Sequence, residues 1–303
     1  MKGSIFDVAN IGIVHSMAYP NCNKSEEQYI NTLKELLIDP FFSVIEIGQL
    51  PFDSLNEIVP KLINSAQCKS TYSAHSRLLK NKLNINSIYE DERSKAVEEL
   101  KRGIDEAYKF NSLNFQFLSR EWSKETQEEN LQSLVKSTIE ICNYASSKGT
   151  MPVCLEIFDY DIDKCSLIGK SSLAARYCSM VNEHCNNFGL MVDLSHIPLI
   201  RETIEDHINP IRDYVSHVHI GNAFMKNKED IAYGDMHPRF GYPGSENNIL
   251  ELVTFLRKLI DIDYLNYHKK SFISFEVKPQ GNEDPRIVIA NAKRSLIEAW
   301  SQV

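Results

Sequence analysis

The sequence predicts an α/β fold, a single-domain (β/α)8 TIM barrel over residues 1–303. Three observations predict it. Eight short apolar runs alternate with eight helix-like segments, and most of the runs are continuously apolar, as strands covered on both faces should be. A length of 303 residues suits eight β-then-α units in one barrel. The first strand-to-helix turn, His15-Ser-Met-Ala-Tyr-Pro20, has no glycine and no GxGxxG, against a doubly wound dinucleotide-binding sheet.

The strands are expected at Asn10–His15, Ser43–Ile47, Ser70–Ala74, Leu113–Leu118, Pro152–Phe158, Leu190–Asp193, Val215–Ile220 and Ser271–Val277. Helices are expected between them. Ser25–Leu37 opens on a cap followed by two glutamates, and Asp53–Ala66 has apolar residues at helical spacing. Tyr89–Tyr108 and Ser123–Ala145 are long amphipathic segments, and the early Glu125, Glu128 and Glu129 suit the positive end of the second. Lys170–Cys185, Leu199–Ile208, Asn247–Ile260 and Asp284–Trp300 complete the set.

Composition bounds the function. Hydrophobic content of 43% and charged content of 24% are those of a globular protein, and the formal charge of -8 gives no basic footprint for nucleic acid or an anionic membrane. Seven scattered cysteines with no CxxC pair read as reduced thiols in a cytoplasmic protein. The opening stretch Met1–Ser16 has no long apolar segment and no run approaches ~18 apolar residues, so neither a leader peptide nor a membrane span is expected.

The chemistry is expected at the strand C-termini, where a barrel builds its site. Glu156 ends the fifth strand, Asp193 the sixth, and Glu276 lies near the end of the eighth. His217 and His219 share one face of the seventh; His219 is nearer the rim and is preferred as a ligand, whereas His217 is expected to pack beneath it. Three carboxylates sharing a rim would repel one another unless a cation joins them. With one imidazole they favour Mn²⁺ or Mg²⁺ first, then Co²⁺ or Zn²⁺. Glu46 points inward by alternation and can anchor substrate or a neighbouring histidine; Trp122 and Phe158 could supply an apolar wall; Lys278 shares the face of Glu276.

These residues carry a resemblance that runs nearly end to end. Glu156, the Asp193-Leu-Ser-His196 motif, His217-Val-His219-Ile-Gly221, Glu276, and Ser73-Ala-His75 with Leu83-Asn-Ile-Asn86 resemble the xylose-isomerase-like TIM-barrel superfamily, in its sugar isomerase/epimerase branch. The resemblance implies Glu156, Asp193, His219 and Glu276 as metal ligands, Glu156 and Glu276 as acid and base, and His196 as a substrate contact. The expected reaction is proton transfer next to a carbonyl of a small carbohydrate-like substrate, giving isomerisation or epimerisation; loss of a leaving group would make a dehydratase or eliminase instead. His15, His75 and Arg239 are further candidate substrate contacts.

Two features depart from the epimerase pattern. An arginine usually follows the seventh-strand histidine there, whereas this chain reads Asn222-Ala-Phe-Met225. A long connection carries Asp235-Met-His237 instead, and endonuclease IV of the same superfamily builds a further metal site from a DxxH histidine and a DxH pair. By resemblance His196, Asp235 and His237 would hold a second ion; the alternative is a substrate lid stiffened by Pro238 and Pro243. Phosphodiester hydrolysis in the manner of endonuclease IV needs another histidine near the fourth strand, and Leu113–Leu118 has none, so nucleic acid is not an expected partner. Self-association into a homo-oligomer is left open.

Overall fold

A computed structural model describes residues 3–303, so Met1 and Lys2 of the opening stretch lie outside the described residues. Eight parallel strands close on themselves in chain order: β1 (Ala9–Val14), β2 (Val44–Gly48), β3 (Lys69–Ser73), β4 (Phe115–Leu118), β5 (Val153–Glu156), β6 (Phe188–Asp193), β7 (Val215–Gly221) and β8 (Ser271–Glu276). Burial explains their composition. Ile11, Ile13, Val44, Ile45, Phe115, Phe117, Leu190, Val192, Val218, Ile273 and Phe275 are almost wholly removed from water, between the barrel interior and the helical layer.

The helical layer is α1 (Glu26–Leu37), α2 (Leu55–Ser65), α3 (Glu90–Lys109), α4 (Gln127–Lys148), α5 (Ser171–Asn182), α6 (Ile204–Ile211), α7 (Ile249–Asp261) and α8 (Pro285–Ser301). Local chemistry starts several of these. The Ser25 hydroxyl accepts from the Gln28 N–H at 3.1 Å, Asn248 and Glu251 form a reciprocal capping box, and Asp284 caps a helix that has Pro285 at its first position. Short helices at His15–Ala18, His75–Lys80 and His196–Ile200 follow strand ends, so three of the candidate histidines begin helices. Among the described residues, no helix is long and apolar enough to cross a membrane.

Two expected helices differ. The segment 199–208 is not one helix: Arg201 adopts a left-handed conformation with φ of 62° after His196–Ile200, and Thr203 then caps α6 by accepting from the Asp206 N–H at 3.1 Å. Pro198 sits inside the short helix. Helix α4 starts at Gln127, not Ser123, because the Ser123 hydroxyl is spent on a turn, accepting from the Thr126 N–H at 3.3 Å.

The register places the site. Glu156 pairs with Met191, Asp193 with His219, and Glu276 with Gly221. Each pairing climbs from one strand to the next, the stagger that strand tilt imposes on a closed barrel, and it winds the rim residues round one mouth. Gly221 is the tight point. A Cβ there would lie 2.6 Å from the Glu276 carbonyl oxygen and 3.1 Å from His237 Nδ1.

Gly221→Ala should therefore push β8 and the His237 ring apart and destabilise the fold by about 1–3 kcal/mol. Urea unfolding of the two proteins checks this; equal midpoints and slopes would mean that the contact relaxes freely.

Candidate active site

Four strand ends converge. Ligand-capable atoms of Glu156, Asp193, His219 and Glu276 all lie within 4.8 Å of one another, Glu276 being the most exposed of the four. His219 Nδ1 is 2.6 Å from Glu276 Oε2, 3.8 Å from Asp193 Oδ2 and 3.9 Å from Glu156 Oε1. Glu156, His219 and Glu276 line a cavity of about 530 Å³ at the C-terminal mouth of the barrel. A larger cavity of about 1030 Å³ lies elsewhere, among Trp122, Tyr160 and Arg176, and none of these carboxylate or imidazole groups lines it. Trp122 therefore walls that space, while Phe158 walls the candidate site.

Glu46 sets the orientation of the group. It reaches across the barrel from β2, accepting from His217 Nε2 at 2.6 Å on one oxygen and from His219 Nε2 at 2.9 Å on the other. An ionised carboxylate only accepts, so both Nε2 atoms carry protons. His219 is thus turned to present Nδ1 to the carboxylates, the arrangement a second carboxylate commonly imposes on a ligating imidazole. His217 packs beneath, its ring stacked on Phe272 at 5.8 Å.

Burial and charge work against each other throughout. Desolvation disfavours the Glu46 carboxylate, but the imidazoles of His219 and His217 outweigh it and hold the group well below the usual carboxylate range. Desolvation opposes the His219 charge as well, and Glu46 and Glu276 outweigh it, raising the imidazole well above its ordinary value. Burial pushes Asp193 up, since the nearby histidines do not offset its desolvation. Glu276 is only part-buried, and although desolvation opposes its charge, His237 and His219 draw its pKa down.

The donor set fits a divalent cation. Three carboxylates and one imidazole are hard-to-borderline ligands. Two of the inward oxygens, Glu156 Oε1 and Asp193 Oδ2, are buried without a hydrogen-bond partner among the described residues, a costly arrangement unless another group engages them.

The other candidates divide. His75 Nε2 lies 3.1 Å from Glu156 Oε2 and its Nδ1 lies 2.5 Å from Ser73 Oγ, so it lines the cavity and also steadies Glu156. His15 lines the cavity but is bonded to Thr32 Oγ1 at 2.9 Å through Nε2. The Thr32 hydroxyl proton faces the Gln28 and Tyr29 carbonyls, so His15 Nε2 donates and Nδ1 is left as an acceptor. Burial drives the His15 pKa down to about 3, which keeps it neutral. Arg239 departs from expectation: its Nε donates to Glu283 at 2.8 Å, and it does not line the cavity.

His196, Asp235 and His237 do meet. Asp235 Oδ1 lies 3.0 Å from His196 Nε2 and 2.8 Å from His237 Nε2. The sequence reading missed the fourth member. Lys164 Nζ sits 2.6 Å from Asp235 Oδ2, delivered by the loop between β5 and α5. Asp159, fully buried, holds that loop by accepting from the backbone N–H groups of Ile162, Asp163, Lys164 and Cys165 at 2.7–3.3 Å. The acidic spacing Asp159-Tyr-Asp-Ile-Asp163 before Lys164 was visible as a turn-prone run, but no local pattern says that its lysine reaches Asp235.

Comparison with known proteins follows this geometry. A sequence profile described as xylose isomerase-like TIM barrel matches residues 59–295. No curated protein matches the chain in sequence. Among solved structures, L-ribulose 3-epimerase superposes with a TM-score of 0.73 at 15% identity, covering 97% of this chain and 96% of that one. The IOLI protein with a bound zinc atom gives 0.71 at 16% identity, covering 97% and 98%. D-psicose 3-epimerase with D-tagatose from Clostridium cellulolyticum H10 gives 0.68 at 16% identity, covering 96% and 98%. At such identities the superpositions establish a shared barrel.

Glu46→Gln should weaken Mn²⁺ binding about 10–100-fold, because an amide cannot accept from both histidines as the carboxylate does. Calorimetric titration of the metal-stripped protein measures this; affinity equal to that of the parent would remove Glu46 from the site's supporting structure.

Proposed function

The chain belongs to the xylose isomerase-like TIM-barrel family, and from that premise we propose that it is a metal-dependent isomerase or epimerase acting on a sugar or keto-polyol by proton transfer next to the carbonyl. One observation carries the reading most strongly. Glu156, Asp193, His219 and Glu276 bring ligand-capable atoms within 4.8 Å of one another, and two of the carboxylate oxygens have no hydrogen-bond partner among the described residues.

In this reading those four residues hold one ion, with Mn²⁺ or Mg²⁺ favoured by the carboxylates and Co²⁺ or Zn²⁺ also compatible with the imidazole. The zinc bound in the IOLI structure is consistent with the latter. When bound, the ion supplies Lewis-acid polarisation of the substrate carbonyl and offsets the charge that grows on its oxygen.

Glu156 and Glu276 then exchange the proton. They come from β5 and β8, with β6 and β7 between them, so they approach a substrate in the cavity from different sides. One takes the proton from the carbon beside the carbonyl and the other returns a proton. Return to the same carbon on its opposite face inverts it, and return to the former carbonyl carbon, with the adjacent hydroxyl's proton passing to the former carbonyl oxygen, moves the carbonyl. His75 at 3.1 Å keeps Glu156 aimed, and His219 at 2.6 Å does so for Glu276. The Nδ1 atom of His15 is positioned to engage a hydroxyl and Phe158 closes off an apolar wall, whereas both ring nitrogens of His196 are taken by the Ile157 carbonyl and Asp235.

A panel of ketoses, keto-sugars and inositol derivatives incubated in deuterium oxide tests the reading. Solvent deuterium should enter the carbon beside the carbonyl only in metal-loaded protein. Glu156→Gln and Glu276→Gln should each slow this exchange about 10²–10⁴-fold while the protein stays folded. Exchange that survives chelation, or no exchange with any member of the panel, would remove the proposed chemistry; release of water from substrate would redirect it to a dehydratase.

A further inference from the structure

We infer that Lys164 serves as the built-in second cation of this mouth: its ammonium occupies the Asp235 carboxylate in place of a second divalent ion, so the chain binds one ion and not two. The inference rests on the one-ion reading above.

Beside the four-residue group lies another set able to take a cation. Ligand-capable atoms of Asp193, His196 and His237 lie within 4.8 Å of one another, and all three residues are buried. Asp193 belongs to both sets, so one carboxylate would be divided between two ions. Asp235 is the additional carboxylate within reach of both imidazoles. His196 cannot turn away from it, because its Nδ1 is committed to the Ile157 carbonyl at 2.8 Å and only Nε2 is left to ligate.

Lys164 has already engaged that carboxylate. Its Nζ is 2.6 Å from Asp235 Oδ2, and this is not a wandering surface contact. The Lys164 side chain is 21% exposed, its Nζ lies 5.7 Å from the Phe158 ring centre and 3.3 Å from Asp163 Oδ2, and Asp159 pins the loop that presents it. A dication seated between His196 and His237 would share Asp235 with a fixed ammonium at close range in a poorly solvated site, where like charges repel strongly. It would also gain less from a carboxylate whose charge is already paired.

An ammonium differs from an ion in what it offers a substrate. Lys164 has three N–H donors, of which Asp235 and Asp163 take two. It lines the same cavity as Glu156 and Glu276, so the third donor is available to a substrate oxygen.

Metal counting on the full-length protein tests the inference independently of turnover. Each protein is stripped, loaded with Zn²⁺ or Mn²⁺, desalted and analysed for metal per chain, with calorimetric titration in parallel. The parent should hold one ion, Lys164→Met should hold two, and Lys164→Arg, which keeps the charge, should hold one. Adding Asp235→Asn to Lys164→Met should return the count to one. Two ions in the parent, or one ion in a Lys164→Met protein that melts like the parent, would overturn the inference while leaving the one-ion site standing in the second case. No ion in the parent would overturn both readings.

Discussion

Glu46, Glu156, Asp193, Asp235 and Glu276 crowd the mouth of one barrel, and four of the five are almost wholly removed from water. Burying carboxylates so close together is tolerable only if each is matched by a donor or a cation. The surrounding side chains answer that demand one by one. Glu46 takes His217 and His219; Asp235 takes His196, His237 and Lys164; Glu276 takes His219; Glu156 takes His75 on one oxygen. What remains is the inward pair, Glu156 Oε1 and Asp193 Oδ2, and there the pairing by protein groups ends. The raised affinity of buried Asp193 for a proton and the depressed affinity of Glu46 express the same balance at its two extremes.

Strands and loops divide the work of holding these charges. Glu46, Glu156, Asp193, His219 and Glu276 project from strands, whose positions are set by paired backbone register and by a packed apolar layer. Asp235, His237 and Lys164 come from loops, which need their own anchors. The Asp159 carboxylate supplies one by collecting four backbone N–H groups, and the 2.7 Å bond from the Lys278 N–H to the His237 carbonyl ties the other loop to the end of β8. Such anchoring gives loop residues a definition close to that of strand residues.

The parts legible in the sequence are those where local pattern and global position coincide. Continuous apolar runs ending in an acid or a histidine mark parallel strands with polar C-termini, and a closed barrel brings all such ends to one rim; hence Glu156, Asp193, His219 and Glu276 group together on sequence alone. Glu46 could be read as inward-facing by alternation alone. The break at Arg201 could not, because no glycine marks the left-handed turn and Thr203 looks like any helical threonine until it caps. Arg239 was equally opaque, since its choice of Glu283 over the cavity depends on how two separate loops pack. Lys164 belongs to the same class: its partner Asp235 lies 71 residues away, across two connections, and only the folded mouth brings the two together.

The shared barrel at about 16% identity with the solved D-psicose 3-epimerase and IOLI protein is explicable in these terms. Most positions need only be apolar and of suitable size, so they vary widely without altering strand register. The rim positions do not have that freedom, since replacing any one acid or imidazole there leaves its partner buried and unpaired. A residue on a connecting loop can nevertheless set the charge presented to the cavity without belonging to the strands, as Lys164 does on the loop after β5. Divergence in what such a barrel accepts is therefore expected to run through its loops, with the strand-borne carboxylates and His219 held fixed by their mutual dependence.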